Sequence, residues 1–216
     1  MPTTTFDPAL HGFHFDNRFV NVVVSLPGVP KLRTNGRCGG MAYAALDYYS
    51  LHRAAPTFKP APPARVPPDG HPLANYLLRR QVESFSNDSA LRFLSWTVFP
   101  DGSLPFAKGV RRWTAEEIPG LKASIDDGDP VAIGLIGARS LSDVGRRNHQ
   151  AVAFGYQLVA GGVDVLIYDP NNHGVTSVLH WRKGDSLIHA SNRPSRPWRG
   201  LFVHDYVANV PPKRAG

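Results

Sequence analysis

The single cysteine of the chain stands in a sequence context that suits a nucleophile. Cys38 follows Gly36 and Arg37 and precedes Gly39 and Gly40. A helix-forming run comes next, so we expect Cys38 at or just before the first helical turn. There the unpaired backbone N–H groups and the positive end of the helix dipole favour a thiolate over a thiol. The glycines allow a tight backbone entry and are expected to leave the sulfur uncovered.

A histidine and an aspartate far along the chain could activate this cysteine. His149 begins a run typical of a β-strand, and Asp169 follows a second such run, with a Val-Ala-Gly-Gly turn between the two. A hairpin of this length places residue 149 across from about residue 172, so Asp169 comes close to His149 at the same end of the sheet. A carboxylate there would orient the imidazole and stabilise the imidazolium, leaving the other ring nitrogen for Cys38.

The same strand suggests where the cysteine-bearing helix packs. Side chains alternate along a strand, so His149 shares a face with the small residues Ala151, Ala153 and Gly155. We expect the helix that carries Cys38 to pack on this face.

Each of these three residues also has an ordinary structural explanation. A lone cysteine is commonly a small buried hydrophobe, a histidine at a strand start is commonly polar decoration, and Asp-Pro-Asn is common in turns. Taken together, they predict a catalytic set in which Cys38 is the nucleophile, His149 the base and Asp169 the residue that orients it.

The elements that must position these residues indicate an α+β fold. The chain of 216 residues and 23.6 kDa is expected to form one domain, with a helical half over about 36–127 and a sheet half over about 131–210. Before residue 36 we expect one or two short strands and a turn at 27–30. A proline-rich loop is expected at 54–70. The predicted helices are 38–52, 72–87, 88–94 and two short pieces on either side of Pro119. The predicted strands are 131–136, 149–158, 163–168, 176–181 and 201–207.

Composition narrows the class of partner. The net charge is +7 and the calculated pI is 9.8, but the basic residues come as scattered doublets, which argues against a nucleic-acid site. No apolar stretch is long enough for a membrane span, and the first residues lack the pattern of a secretory signal. A cytoplasmic location is therefore expected, with signal-less export left open. No cofactor or metal site is expected, and the sequence does not indicate the oligomeric state.

The order of these features resembles the papain-like cysteine peptidase fold, and in particular the bacterial C39-like peptidases. The resemblance rests on the Cys-Gly helix start at 36–41, the histidine-led strand with its Gly-Tyr pair at 149–156 and the Asp-Pro strand end at 168–171, about a third of the chain. It implies a central helix that carries the nucleophile and packs against a C-terminal antiparallel sheet, and a thiol hydrolase activity.

One position departs from that family. Papain-like enzymes usually place an oxyanion-binding glutamine six residues before the cysteine, and here that residue is Leu32. We expect the donors to be the backbone N–H of Cys38 and the side chain of Asn35. The departure keeps open a second interpretation, a papain-like binding module without turnover. A third is a basic nucleic-acid-associated protein with an incidental cysteine.

The sequence thus predicts a cysteine hydrolase or acyl transferase that works through a thioester on a peptide, protein or other amide or ester substrate. Residues near the catalytic positions are candidate substrate contacts: Gly39, Gly40, Arg146, Arg147 and Asn148. Of these, the two arginines favour an acidic substrate.

Overall fold

A computed structural model describes residues 1–23, 32–59, 65–85 and 87–212, and of residues 20–23, 32–35 and 87 it describes the backbone only. The chain combines helices with antiparallel strands, as the α+β prediction requires. The helices are α1 (Pro8–His11), α2 (Cys38–Ser50), α3 (Pro72–Glu83), α4 (Asn87–Val98), α5 (Val110–Asp126) and α6 (Val144–Arg147), with a 3₁₀ turn at Leu141–Asp143. The strands are β1 (Val20–Val23), β2 (Leu32–Asn35), β3 (Val131–Ile136), β4 (His149–Val159), β5 (Gly162–Tyr168), β6 (Thr176–Arg182), β7 (His189–Ala190) and β8 (Gly200–Val203).

Six strands form one antiparallel sheet in the order β7-β6-β5-β4-β3-β8, and β1 pairs with β2 in a separate hairpin. The predicted β4–β5 hairpin is confirmed, and β4 lies inside the sheet between β5 and β3. The predicted turn at 27–30 and residues 60–64 of the proline-rich loop lie outside the described residues. The two-residue strand β7 and the short helix α1 were not predicted, since neither is long enough to show a period.

A β-bulge in β4 decides where Asp169 lies. The β4–β5 register shifts by one residue between Ala153 and Gly155, which makes Phe154 the extra residue. Beyond the bulge Tyr168 pairs with Val152, so the next residue, Asp169, falls on the face of the sheet that carries His149. Without the extra residue Asp169 itself would face Val152 and point to the opposite side.

The amino-terminal segment holds this bulge. The N–H of Thr4 donates to the carbonyl of Phe154 at 2.8 Å, and the N–H of Tyr156 donates to the carbonyl of Pro2 at 3.0 Å. These bonds pair backbone groups of β4 beyond the point where β3 ends, since the β3–β4 register stops at Val131 and Ala153 and a bridge between Thr3 and Gly155 continues it.

Helix α2 packs on the face opposite to the one that the sequence predicted. Met41, Ala44 and other side chains of α2 cluster with Val152 and Phe154 of β4. Ala151 instead packs in the second core, which contains the apolar face of α5. The physical reason is the size of the residues: Val152 and Phe154 offer the larger apolar surface to the longest buried helix face.

Helix α5 also differs from expectation, because it runs without a break through Pro119. The proline lies on the exposed side of the helix. On the other side Ile118, Leu121 and Ile125 are buried in the second core. Burial of this stripe outweighs the one backbone hydrogen bond that proline removes.

A buried carboxylate ties α2 to α3 and to the C-terminal segment. Asp47, fully buried on α2, accepts hydrogen bonds from Arg80 Nη2 at 3.0 Å and from the hydroxyls of Tyr76 and Tyr206, each at 2.7 Å. The N–H of Asn209 donates to the same carboxylate at 2.8 Å. These contacts hold together the two helices on which the candidate site is built.

Within the described segments, none of the helices is both long and apolar enough to cross a membrane.

Candidate active site

Cys38 is the first residue of α2, and a tight turn delivers it there. Gly36 has φ +129°, a conformation that side-chain-bearing residues rarely adopt, and a Cβ at this position would come within 3 Å of the Asn17 side chain. The N–H of Arg37 donates to Asn17 Oδ1 at 2.6 Å. The thiol of Cys38 is half-buried, so it remains accessible from one side.

His149 and Asp169 form a buried pair next to this cysteine. The imidazole Nε2 lies 2.7 Å from Asp169 Oδ1, and the two residues are 4% and 2% exposed. The Cys38 side chain lies close enough to the same imidazole to raise the pKa of His149. Because Nε2 is engaged by Asp169, Nδ1 is the nitrogen left to face the sulfur. The structure thus brings together the three residues that the sequence proposed as a set.

The electrostatics of the pair favour its charged form. Burial alone would lower the pKa of His149, but the charges of Asp169 and Cys38 and the hydrogen bonds with both raise it to about 10. Burial alone would raise the pKa of Asp169, yet the charge of His149 and the hydrogen bonds from His149, the Asn171 N–H and Asn192 lower it to about 2. At neutral pH the site therefore holds an imidazolium beside a carboxylate.

Three asparagines that the sequence prediction did not assign to the site hold this pair in place. Asn192 Nδ2 donates to Asp169 Oδ2 at 2.8 Å, and the Asn171 N–H donates to Asp169 Oδ1 at 2.8 Å. The amide of Asn171 also contacts both nitrogens of His149, at 3.4 and 3.5 Å. Asn17 Nδ2 donates to Asn171 Oδ1 at 3.0 Å, which connects the strand end to the turn before Cys38.

Trp198 covers one face of the His149 imidazole. Its ring stacks on that of His149 with centroids 5.8 Å apart and an interplanar angle of 11°. Arg199, the next residue, fixes the position of this segment: its guanidinium donates to Asp101 Oδ1 at 2.6 Å and to the carbonyls of Thr97 and Ala138. A buried ring on one side of the imidazole limits its rotation and excludes water there.

A cleft of about 940 Å³ opens over Cys38 and His149. Three of the residues that line it carry a buried polar atom with no hydrogen-bond partner among the described residues: Gln150 Oε1, Asn192 Oδ1 and Trp198 Nε1. Unpaired buried polar atoms are uncommon in folded proteins, and their concentration here is typical of a place where water or a ligand completes the bonding.

The two glycines after the cysteine do not line the cleft, contrary to the sequence prediction that they contact substrate. Both are buried in the packing around α2. A Cβ on Gly39 would lie 2.2 Å from Ser84 Oγ, and one on Gly40 would lie 2.0 Å from the carbonyl oxygen of Leu77. At position 40 glycine is required because the backbone of α3 approaches α2 too closely for any side chain, whereas at position 39 the side chains of Ser84 and Gln150 fill the space.

The other predicted substrate contacts line the cleft but differ in availability. Asn148 has its amide engaged: Oδ1 accepts from the N–H groups of Gly137 and Ala138, both at 2.9 Å, and Nδ2 donates to Thr97 at 3.1 Å. It therefore shapes the wall of the cleft. Arg146 and Arg147 are exposed, and Arg146 pairs with Asp143 at 2.7 Å.

The predicted oxyanion donor Asn35 ends β2, and its side chain lies outside the described residues. A different amide stands close to the nucleophile. Gln81 of α3 is 1% exposed, lines the cleft, and accepts the N–H of Gly40 on Oε1 at 2.9 Å. Its Nε2 donates to none of the described residues. The signal in the sequence was a polar residue on the otherwise apolar face of a helix.

Among the described residues, no group of three or more His, Cys, Asp or Glu side chains is placed to hold a metal ion. Comparison of the chain with protein-family models, with curated proteins and with solved structures gives no match.

Proposed function

We propose that the protein is a cysteine hydrolase or acyl transferase of the papain-like type, similar in its arrangement to C39-like peptidases. The single observation that carries this proposal is the buried His149–Asp169 pair, 2.7 Å apart, with Cys38 at a helix start beside the imidazole. A structural cysteine gains nothing from a charged imidazole, whereas a nucleophilic one needs it.

In the proposed reaction the thiolate of Cys38 attacks the carbonyl carbon of an amide, ester or thioester, and the carbonyl π electrons move to oxygen. When the tetrahedral intermediate collapses, the bond to the leaving group breaks and the leaving atom takes the proton of His149. A thioester on Cys38 and a neutral imidazole remain. His149 then takes a proton from water or an acceptor amine as it attacks, and expulsion of the sulfur restores the thiolate and the imidazolium. Asp169 remains a carboxylate and orients the imidazole throughout.

The developing negative charge on oxygen needs hydrogen-bond donors. Within the described part of the chain, the N–H of Cys38 has no acceptor, as expected for the first residue of a helix. We assign the second donor to Gln81 Nε2, because the Gly40 N–H fixes the amide by its oxygen and leaves the amino group unused. A glutamine from α3 would thus serve in place of the glutamine that papain-like enzymes usually have at the position of Leu32.

Acyl trapping tests the proposal. The protein is incubated with p-nitrophenyl acetate and with a library of peptide thioesters, and adducts are detected by intact-mass spectrometry. We expect an adduct that hydroxylamine removes, as a thioester requires, and none with Cys38→Ala.

A matched pair of histidine variants separates activation from simple exposure of the thiol. His149→Asn removes the proposed base, whereas His180→Asn removes a half-exposed histidine that also pairs with an aspartate, Asp164, at 3.0 Å. Only His149→Asn should abolish the adduct. Equal acylation of the two variants would overturn the assignment, and absence of any adduct on the wild type would favour a binding module without turnover.

A further inference from the structure

We propose that the cleft takes an acidic peptide segment, whose carboxylates bind to arginines beside the catalytic imidazole. This inference rests on the proposed function, which requires a substrate with an acyl group. The charges of the cleft indicate that this substrate is acidic. The cleft walls bear five arginines besides the buried Arg199: Arg139, Arg146, Arg147, Arg193 and Arg196.

Three of these arginines form no ion pair with any residue that the structure describes. Arg139 pairs with Asp101 at 2.9 Å and Arg146 with Asp143. No carboxylate in the described part of the chain lies within ion-pair distance of Arg147, Arg193 or Arg196. Of the described residues that line the cleft, Asp143 alone carries a carboxylate, and it is already paired. The cleft therefore carries a clear excess of positive charge.

The unpaired arginines come from two segments that meet next to His149. The loop that ends at Trp198 carries Arg193, whose guanidinium lies 6.0 Å from the centroid of the Trp198 ring. Arg147 ends α6, two residues before His149. Both segments pack against Gly137, since a Cβ there would lie 2.4 Å from the carbonyl oxygen of Arg147 and 3.2 Å from the Trp198 ring.

The chemistry of the cleft favours a peptide over a nucleic acid. Guanidinium groups bind carboxylates and phosphates equally well by paired hydrogen bonds, so charge alone does not discriminate. Single-stranded nucleic acid also needs exposed aromatic rings on which bases stack. Of the aromatic residues of the cleft, Phe93 and Trp198 are buried and Trp198 is already stacked on His149. Phe85 is partly buried and packs against Phe93, with ring centroids 5.6 Å apart. An acidic peptide additionally supplies the acyl group that Cys38 attacks, which a nucleic acid lacks.

Fluorescence anisotropy on the full-length Cys38→Ala protein tests this inference without turnover. The probe is a short peptide of alternating glutamate and glycine with an uncharged fluorophore, and the comparison probes are its glutamine counterpart and a single-stranded oligonucleotide. At low salt we expect the glutamate peptide to bind about 10-fold more tightly than the glutamine peptide, as two charge-assisted contacts would allow.

A matched pair of triple variants locates the binding. Replacement of Arg147, Arg193 and Arg196 by alanine should remove most of the preference for glutamate. Replacement of three arginines outside the cleft, Arg79, Arg111 and Arg112, changes the net charge equally and should preserve it. Equal affinity for the glutamate and glutamine peptides, equal loss in both triple variants, or tighter binding of the oligonucleotide would each overturn the inference.

Failure of this inference can be distinguished from failure of the proposed function. Acyl trapping on wild-type protein reports the chemistry of Cys38, whereas anisotropy on Cys38→Ala reports only the cleft. A trapped adduct without a preference for glutamate would retain the hydrolase and refute the acidic substrate.

Discussion

Replacement of Asp169 by asparagine removes one negative charge from the candidate site and leaves the size of the side chain almost unchanged. The carboxylate lies 2.7 Å from His149 Nε2 in a buried environment. A hydrogen bond to a charged group contributes about 1.5–3 kcal/mol. Since one pKa unit corresponds to about 1.36 kcal/mol, the pKa of His149 should fall by about 1–2 units in the variant.

A lower pKa of His149 weakens the ion pair with Cys38, and alkylation by iodoacetamide measures the result. The chain has one cysteine, so all alkylation that mass spectrometry detects on sulfur belongs to Cys38. For the wild type we expect fast alkylation below pH 7, whereas an ordinary thiol with a pKa near 8.5 reacts slowly there. For Asp169→Asn we expect His149 to lose its proton about 1–2 pH units lower than the wild type does, so the two alkylation profiles should agree near pH 6 and diverge between about pH 8 and pH 10.

Asp164→Asn is the matched control, because Asp164 also pairs with a histidine but lies outside the residues that line the cleft. It should leave the alkylation profile unchanged. Circular dichroism and thermal unfolding establish that both variants are folded. The reasoning is refuted if the wild type follows the profile of an ordinary thiol, or if Asp169→Asn and Asp164→Asn react alike.

Three further outcomes are expected. Gln81→Met should lower the rate of acylation of the thiol by p-nitrophenyl acetate about 10²- to 10³-fold. Alkylation by iodoacetamide forms no oxyanion, so its rate should change little. Parallel loss of both rates would contradict the role assigned to Gln81. Asp47→Ala should lower the free energy of unfolding in urea by about 3–5 kcal/mol because it leaves Arg80 buried without its partner, and a change below about 1 kcal/mol would contradict the importance of this contact. The raised pKa of His149 and the lowered pKa of Asp169 also set a pH window for stability. The wild type should be more stable than Asp169→Asn near pH 5–6. This advantage should decline as pH rises from about 6.5 towards 10 and as pH falls from about 4 towards 2. Urea titrations across this range would measure it.

The parts of the site that could be predicted are those with a local signal. The glycine-flanked start of α2 and the turn between β4 and β5 are short-range patterns, and both are confirmed. Their combination sufficed to bring Cys38, His149 and Asp169 together as candidates. The α+β architecture could be predicted because the spacing of apolar residues changes from a helical period before residue 127 to a strand-like pattern after residue 131.

The parts that could not be predicted depend on contacts between distant segments. No residue type marks Phe154 as a bulge, and the amino-terminal residues that bond to Phe154 and Tyr156 are about 150 positions away in the sequence. The face on which α2 packs was predicted wrongly for a related reason. Small residues around Ala151 suggested room for a helix, but the core is formed where the larger apolar surfaces of Val152 and Phe154 meet α2.

Asn17 shows most clearly why the reactivity of Cys38 is a property of the whole fold. Its carbonyl oxygen accepts the N–H of Arg37, and its amino group donates to Asn171, 154 positions away, which in turn contacts His149. Only an amide side chain can accept and donate in this fixed geometry, so one residue sets the distance between the helix start and the strand end. Gly36 must then lack a side chain to admit that amide. The proposed nucleophile and the proposed base therefore keep their relative position through a residue to which we assign no chemical step.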